Sequence, residues 1–543
     1  MTLPPLINGV PAPWGDLVSM LDGVVRSSAR EAGVTIDGVF MSYGDLRDRS
    51  QSIAAHFLNA GLQRGDHVCS LMQNRVEVLL TWFGTMIAGG IWVPLNIGLQ
   101  GEDLRHILRD ADPRFLVADA EGADKISECT DDTATNIRQQ FIVGPAETNV
   151  SFSSFTDLLV PCGEAPRFQF APSDPAVIIY TGGTTGLPKG VVLPHFSMVC
   201  GGLRYRDVYA ATSQDRHFSV SPLFHAGGLT IAVLGPMMAG MSTIVDRTFS
   251  VSSYWQRVRE TRATLINPIG VILTLLCRQP VSEQDQQHSV RASLGVTGQL
   301  PDGIPAEFSK RFGIEIVNIY SLSEASGALI ITNELNSPKP EANGKGRHWA
   351  EVGIIDKAGN LLAPGEVGEI VLRPKIPYTF MLGYHRNPER TLDAFANLWL
   401  HTGDIGYVDE DGFLYFQGRE AHWLRRRGEN VSCYEVEAII SQHPEVEEVA
   451  IVGVPSEIGE EDVKAFVVKK AGIAPQPEAF ILWCVERMAS FKVPRYIELI
   501  DALPRSAAKR EVERHVLKAR SNDRAWDREK VFGRKLPARK GSG

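Results

Sequence analysis

The sequence predicts an α/β protein: a large multi-lobed N-terminal domain of helix-covered, mostly parallel sheets, followed by a small α+β C-terminal domain. Three observations predict it. Strand-like and helix-like runs alternate from Met41 to Ala118, the pattern of βαβ units. With 543 residues the chain is too long for one core, so several lobes are expected. After Arg419 the pattern shifts, which sets the expected domains at residues 1–420 and 421–543.

Taken in order, residues 41–46 lead into an amphipathic run at 50–62, closed by Gly61 and by Arg64-Gly65-Asp66. This is a capped helix feeding a strand at 67–72. A helix at 75–88, a strand at 91–96, a helical run at 104–110 and a strand at 115–118 continue the alternation. Two uncharged stretches, 78–101 and 218–245, are broken by Gly89-Gly90, Pro94, Pro222 and Pro236. Buried helix-turn-strand units are expected there rather than membrane spans. A net charge of −9 argues against wrapping nucleic acid. The seven cysteines are scattered without metal spacing, and the first residues lack a basic start and a continuous apolar stretch, so a reducing cytoplasm is expected.

The run around which the chain is organised is YTGGTTGLPKG, Tyr180 to Gly190, between apolar strands at 176–179 and 191–193. Gly182, Gly183 and Gly186 let backbone approach a ligand, while Thr181, Thr184, Thr185 and the cation Lys189 supply donors. These are groups that a polyphosphate needs. A P-loop is excluded by spacing, because Lys189 precedes Gly190 rather than Ser or Thr and a strand follows. The run resembles the phosphate loop of the adenylate-forming superfamily, which includes acyl-CoA synthetases, luciferases and peptide-synthetase adenylation domains, with Gly183 in place of serine.

The resemblance extends through further motifs in the same order. Ile319-Tyr320-Ser321-Leu322-Ser323-Glu324 is similar to the family's YGxTE. It implies Tyr320 on the adenine face, Ser323 at phosphate and Glu324 holding Mg2+. Residues 294–301, LGVTGQLP, resemble the adenine-contacting turn, implying backbone contacts from Gly298 and Gln299. Thr402-Gly403-Asp404 puts a carboxylate on a tight turn suited to two ribose hydroxyls, with Arg419 able to reach the same sugar or phosphate. The acidic Asp409–Gly412 run is too short for a calcium loop and reads as a hairpin turn. In Pro222–Gly228, the resemblance implies an acyl pocket lined by His225, with Gly227 and Gly228 leaving space for a bulky acid.

The family rotates a small C-terminal domain between two half-reactions, and the hinge position is Ala421 here, where Asp or Lys is usual. Arg425, Arg426, Arg427, Gly428 and Glu429 match the loop that approaches the pantetheine channel. Gly428 would let backbone pass the thiol arm and the arginines would attract the nucleotide of coenzyme A. Residues 436–441, 446–454, 463–468 and 479–489 complete a small α+β domain.

One departure bears on mechanism. The family ends in P-[KR]-[ST]-x-x-G-K-[VI]-x-[KR], whose lysine serves adenylation, whereas this chain reads LPRSAAKREVERH from Leu503. Counting from Pro504 puts Arg510 at the lysine; counting back from Val512 puts Glu511 there; Lys509 fits only with a shifted register. A positioned cation offsets the repulsion of carboxylate and triphosphate. The expectation is therefore an enzyme that turns an acyl-adenylate and coenzyme A into acyl-CoA and AMP, with ATP-dependent adenylation weak or lost and a partner enzyme supplying the adenylate. The alternatives are a complete ATP-dependent synthetase acting on a hydrophobic carboxylic acid, a non-catalytic adenylate-binding protein, and an oxygenase of luciferase type.

Overall fold

The computed structural model describes residues 4–28, 31–99, 101–129, 137–145, 152–183, 186–268, 270–295, 303–325, 330–419, 423–426, 429–456, 461–470, 476–488, 492–505 and 512–533. Within them stand a large N-terminal domain with parallel-rich sheets and a smaller C-terminal domain.

Among the described residues the N-terminal part holds two eight-stranded sheets. In the first, Phe115–Asp119, His67–Leu71, Ile91–Leu95 and Pro175–Gly183 run parallel, followed by antiparallel Gly186–Pro194 and the short Gly383–Tyr384 at the edge. In the second, Gly33–Ile36, Ser242–Val245, Arg216–Ser219, Leu265–Ile266, Ala292–Gly295 and Glu315–Tyr320 run parallel. The expected alternation is present. Strand burial is nearly complete, as in Phe115–Asp119 and Ile91–Leu95, because helices cover the sheet faces.

The first long helix is Tyr43–Asn59, beginning ahead of the amphipathic run that predicted it. Its start is set by Ser42, whose hydroxyl accepts from Asp45 N and donates to the Asp45 carboxylate, a local cap that outweighs the weak periodicity of the first turn. Val76–Ile87 packs on it, with Trp82 stacked on Trp92 at 5.3 Å and Trp92 Nε1 donating to Ser70. These elements share one apolar core with the second sheet through Val34, Ile36 and Val245.

A four-stranded antiparallel sheet, Ala350–Ile355, Gly368–Pro374, Leu400–Val408 and Leu414–Arg419, closes this part. The hairpin Trp423–Arg426 with Glu429–Ser432 then packs through Leu424 and Val431 onto a separate core formed by Cys433–Ile440, Val446–Pro455, Glu461–Lys469 and Pro477–Arg487. No helix of the described residues is long and apolar enough to cross a membrane. The stretch 218–245 is instead the buried strand Arg216–Ser219, the helical segments Gly228–Leu234 and Gly235–Met238, and the strand Ser242–Val245.

Candidate active site

The parallel strands of the second sheet that finish at Ser219, Ile266, Gly295 and Tyr320 end together along one edge. Ligands of open α/β sheets bind outside such carboxyl ends. His225 and Glu324 both lie just past them.

The phosphate motif is a hairpin. Pro175–Gly183 pairs antiparallel with Gly186–Pro194, with Thr181 opposite Lys189 and Gly183 opposite Gly186. The expected loop from Tyr180 to Gly190 is therefore corrected: the ladder enters the motif from both sides. Gly190 allows this, since a Cβ there would stand 2.8 Å from Ile178 Cγ2 and 3.1 Å from both Tyr180 Cζ and His385 Cβ. Thr184 and Thr185 lie outside the described residues, and of Gly182 and Gly183 only strand positions are described.

Lys189 and Glu324 meet through a residue that the sequence did not reveal. The Lys189 ammonium donates to the Tyr384 hydroxyl at 3.3 Å and sits 4.3 Å from the ring centroid, and Tyr384 donates to Glu324 Oε1 at 2.9 Å. Burial, then the Glu324 charge, raises Tyr384 well above the usual tyrosine range, so its proton stays in place at neutral pH. Ser323 and Glu324 lie on the short turn Ser323–Ala325, which is anchored where Met381 N donates to the Glu324 carbonyl at 2.8 Å. No sequence signal marks Tyr384, which is 195 residues from Lys189.

Tyr320 and Asp404 also converge. The Tyr320 hydroxyl donates to Asp404 Oδ2 at 2.7 Å, and both residues are buried. Gly403 takes φ 67° and donates its N–H to Glu369 at 3.1 Å, while Asp404 N donates to Thr402 Oγ1 at 3.1 Å, so the expected tight turn is instead an irregularity inside the strand Leu400–Val408, fixed from both sides. Arg419 faces Asp404 across the ladder, described only as a strand position. The acidic turn at Asp409 and Asp411 is paired with Lys339 at 2.6 Å.

His225 opens the helix after the strand Arg216–Ser219, its carbonyl accepting from Leu229 N at 3.0 Å. Its turn is held by Asn74, which the sequence reading missed: Oδ1 accepts from Leu223 N at 2.8 Å, while Nδ2 donates to the carbonyls of Ser221 at 3.0 Å and Asp246 at 3.1 Å. The expectation that Gly228 leaves open space is corrected. A Cβ on Gly228 would fall 2.1 Å from the Pro222 carbonyl oxygen, so this glycine serves close backbone packing. Gly227 lies in the first turn of the same helix.

In the C-terminal domain one assignment is overturned. Arg426, expected to attract coenzyme A, is 1% exposed, with Nε 3.2 Å from Asp462 and a guanidinium N–H donating to the Val493 carbonyl at 2.7 Å. It is a buried core cation, its charge matched by a carboxylate that also pairs with Arg495 at 2.8 Å. Arg425 and Glu429 are described only as strand positions. Gly298, Gln299, Ala421, Arg427, Gly428, Lys509, Arg510 and Glu511 lie outside the described residues.

The geometry can be set beside known proteins. The AMP-binding enzyme family matches residues 24–385, and the AMP-binding enzyme C-terminal domain matches residues 435–510. A crotonobetaine/carnitine–CoA ligase of Citrobacter koseri is 32% identical over 482 residues, covering 88% of this chain and 92% of the relative. One of Escherichia coli is 32% identical over 506 residues, covering 91% and 96%. ATP-bound MatB from Rhodopseudomonas palustris has a TM-score of 0.81 at 26% identity, covering 92% and 98%. o-Succinylbenzoate CoA synthetase of Bacillus subtilis, in complex with its acyl-adenylate intermediate, has a TM-score of 0.80 at 25% identity, covering 93% and 98%. With both family models matched and relatives aligned along nearly its whole length, this chain belongs to the AMP-binding enzyme family, in the acyl-CoA ligase group of the adenylate-forming superfamily.

Proposed function

We propose that this chain is an acyl-CoA ligase that joins a small-molecule carboxylic acid to coenzyme A through an acyl-adenylate. The observation that carries the reading is the pairing of two motif contacts: Lys189 and Glu324 joined through Tyr384, and Tyr320 joined to Asp404. On this reading the tip around Thr181, Gly182, Gly183, Thr184, Thr185 and Lys189 cradles phosphates, with Ser323 beside it. Gly298, Gln299 and Tyr320 flank adenine, Asp404 and Arg419 take the ribose, and His225 and Gly227 line the acyl side. Arg425, Arg427, Gly428 and Glu429 approach the coenzyme A arm, on a C-terminal domain that begins and pivots at Ala421. Crotonobetaine and carnitine are the first acids to test, from the names of the relatives.

Glu324 suits Mg2+. Among the described residues no group of three or more His, Cys, Asp and Glu gathers for a metal, and Mg2+ is characteristically held by one or two carboxylates plus substrate phosphates. Held by Glu324, Mg2+ would offset phosphate charge. Lys189 supplies a second cation, and Tyr384 keeps the Glu324 carboxylate oriented.

A second reading has its own observation. Arg505 pairs with Val512, and Glu513 N donates to the Pro504 carbonyl at 2.9 Å, while Val512 packs against an apolar cluster. This supports matching Arg505 and Val512 to the [KR] and [VI] of the family pattern. The chain then carries one extra residue between them, and Glu511 falls in the place of the lysine. Adenylation would be weak, with thioester formation from a supplied acyl-adenylate retained. One experiment serves both readings: pyrophosphate release from acid and ATP is compared with acyl-CoA formation from synthetic acyl-adenylate and coenzyme A, across a panel of acids. Both reactions running supports the complete ligase. The second alone supports the weak-adenylation form, with Glu511→Lys expected to raise pyrophosphate release. Neither running with any acid overturns the ligase assignment.

A further inference from the structure

The contact between Lys189 and Glu324 is indirect, and the residue between them is held from several sides. Tyr384 pairs with Val191 in the sheet, so it lies beside the ascending strand of the phosphate hairpin. Its N–H donates to Thr391 Oγ1 at 2.9 Å, and His385 N donates to the Gly190 carbonyl at 2.7 Å. Gly383 has φ 149°, and a Cβ there would stand 2.8 Å from Thr391 Cγ2. The glycine thus lets Thr391 close on the Tyr384 backbone. Glu324 is tied to the same segment through Met381 N.

A tyrosine hydroxyl has one donor and can also accept. Here the donor goes to the Glu324 carboxylate and the acceptor to the Lys189 ammonium. Opposite charges in a partly desolvated site attract strongly, and a direct Lys189–Glu324 pair would draw both side chains away from an incoming polyphosphate. The inserted hydroxyl keeps them apart while satisfying each. It occupies one of roughly four lone-pair positions of the carboxylate, leaving others for a cation.

We infer that Tyr384 is a positioning residue of the triphosphate site, holding Glu324 and Lys189 at the separation that a metal-bound polyphosphate spans; this rests on the ligase reading above. Tyr384 acts through the two charged groups and takes no part in bond making. Its influence should fall on the β- and γ-phosphates and the cation, and not on AMP or on thioester formation.

The test is calorimetric titration of the full chain with ATP plus Mg2+ and, separately, with AMP. Tyr384→Phe removes only the hydroxyl. Losing a hydrogen bond to charged groups should weaken MgATP binding by about 10- to 100-fold, with AMP affinity and thermal midpoint unchanged. Tyr384→Phe added to Glu324→Gln should cost little beyond Glu324→Gln alone, because Tyr384 acts in part through that carboxylate. Thr391→Ala, which loosens the Tyr384 backbone and leaves the hydroxyl, should give a smaller loss with the same selectivity for ATP over AMP. Unchanged MgATP affinity in Tyr384→Phe overturns the inference, and so does an equal loss for ATP and AMP. A wild-type chain that binds neither nucleotide overturns the ligase reading itself.

Discussion

Lys189 and Arg426 are both cations of motifs that the sequence assigned to phosphate-bearing ligands, yet they have opposite surroundings. Lys189 is half-buried on the phosphate hairpin, donating to Tyr384 beside Glu324. Arg426 is sealed in the C-terminal domain against Asp462 and the Val493 carbonyl. The difference lies in what each motif encodes. The hairpin around Lys189 is specified locally by paired strands and by a glycine that lets them close, so the place of its cation follows from the motif. The arginine run specifies charge alone. Which arginine turns inward is decided by Asp462 and Val493, residues distant in sequence.

The largest effect should come from Arg426. Arg426→Ala leaves Asp462 buried with one cation fewer, and breaking a buried pair by removing one partner costs about 3–5 kcal/mol. Denaturant unfolding followed in the C-terminal domain should show that loss, while KM for coenzyme A at a permissive temperature stays at the wild-type value. A raised KM with unchanged stability would return Arg426 to the coenzyme A channel and break the contrast.

Lys189 should behave in the reverse way. On the ligase reading, Lys189→Met removes the cation proposed to face developing phosphate charge, and losing such a preorganised group lowers rate by on the order of 10²–10³. Pyrophosphate release should fall accordingly, or MgATP affinity if adenylation is already slow, with the melting temperature little changed because the side chain is not in a core. A large drop in melting temperature would mean that Lys189 holds the hairpin together through Tyr384.

The parts of the fold and site that were legible were those written in contiguous residues. The alternating strands and helices from His67 to Asp119 and the apolar strands on either side of the phosphate motif follow from local pattern, whereas the continuation of the ladder into the motif does not. The resemblance gave Tyr320 and Asp404 separate contacts to one nucleotide; their direct hydrogen bond came without a local signal, being set by two sheets that approach only in the fold. Tyr384, Asn74 and the inward turn of Arg426 were not legible. Each acts by reaching across to another element, and a single tyrosine, asparagine or arginine has no periodicity that announces its partner. Gly228 was misread for a related reason: its role depends on the Pro222 carbonyl folding back against it.

The effect that is smallest per pH unit concerns buried bases that have no hydrogen-bonded carboxylate. Arg426 keeps its charge beside Asp462, whereas His217 and His195 are fully buried among neutral hydrogen-bond partners. Tyr205 donates to His217 Nδ1 at 2.8 Å, and Nε2–H donates to Asn267 Oδ1 at 3.2 Å. Leu17 N donates to His195 Nδ1 at 3.3 Å. Burial, the largest cause in each case, lowers His217 to about 3 and His195 to about 4. In the unfolded chain both titrate near the ordinary value of about 6.5. Above that pH neither state binds the proton and stability is unaffected; below it the unfolded state takes up protons that the folded state refuses. Stability should therefore fall with acidification from pH 6.5 toward 4, by up to about 1.4 kcal/mol per pH unit for each histidine. His217→Gln should lower stability at pH 8, where its hydrogen bonds are lost, and yet reduce the slope between pH 6.5 and 5. An unchanged slope would mean that water reaches His217 and that burial without a counter-charge does not set its protonation, removing the distinction drawn between this base and Arg426.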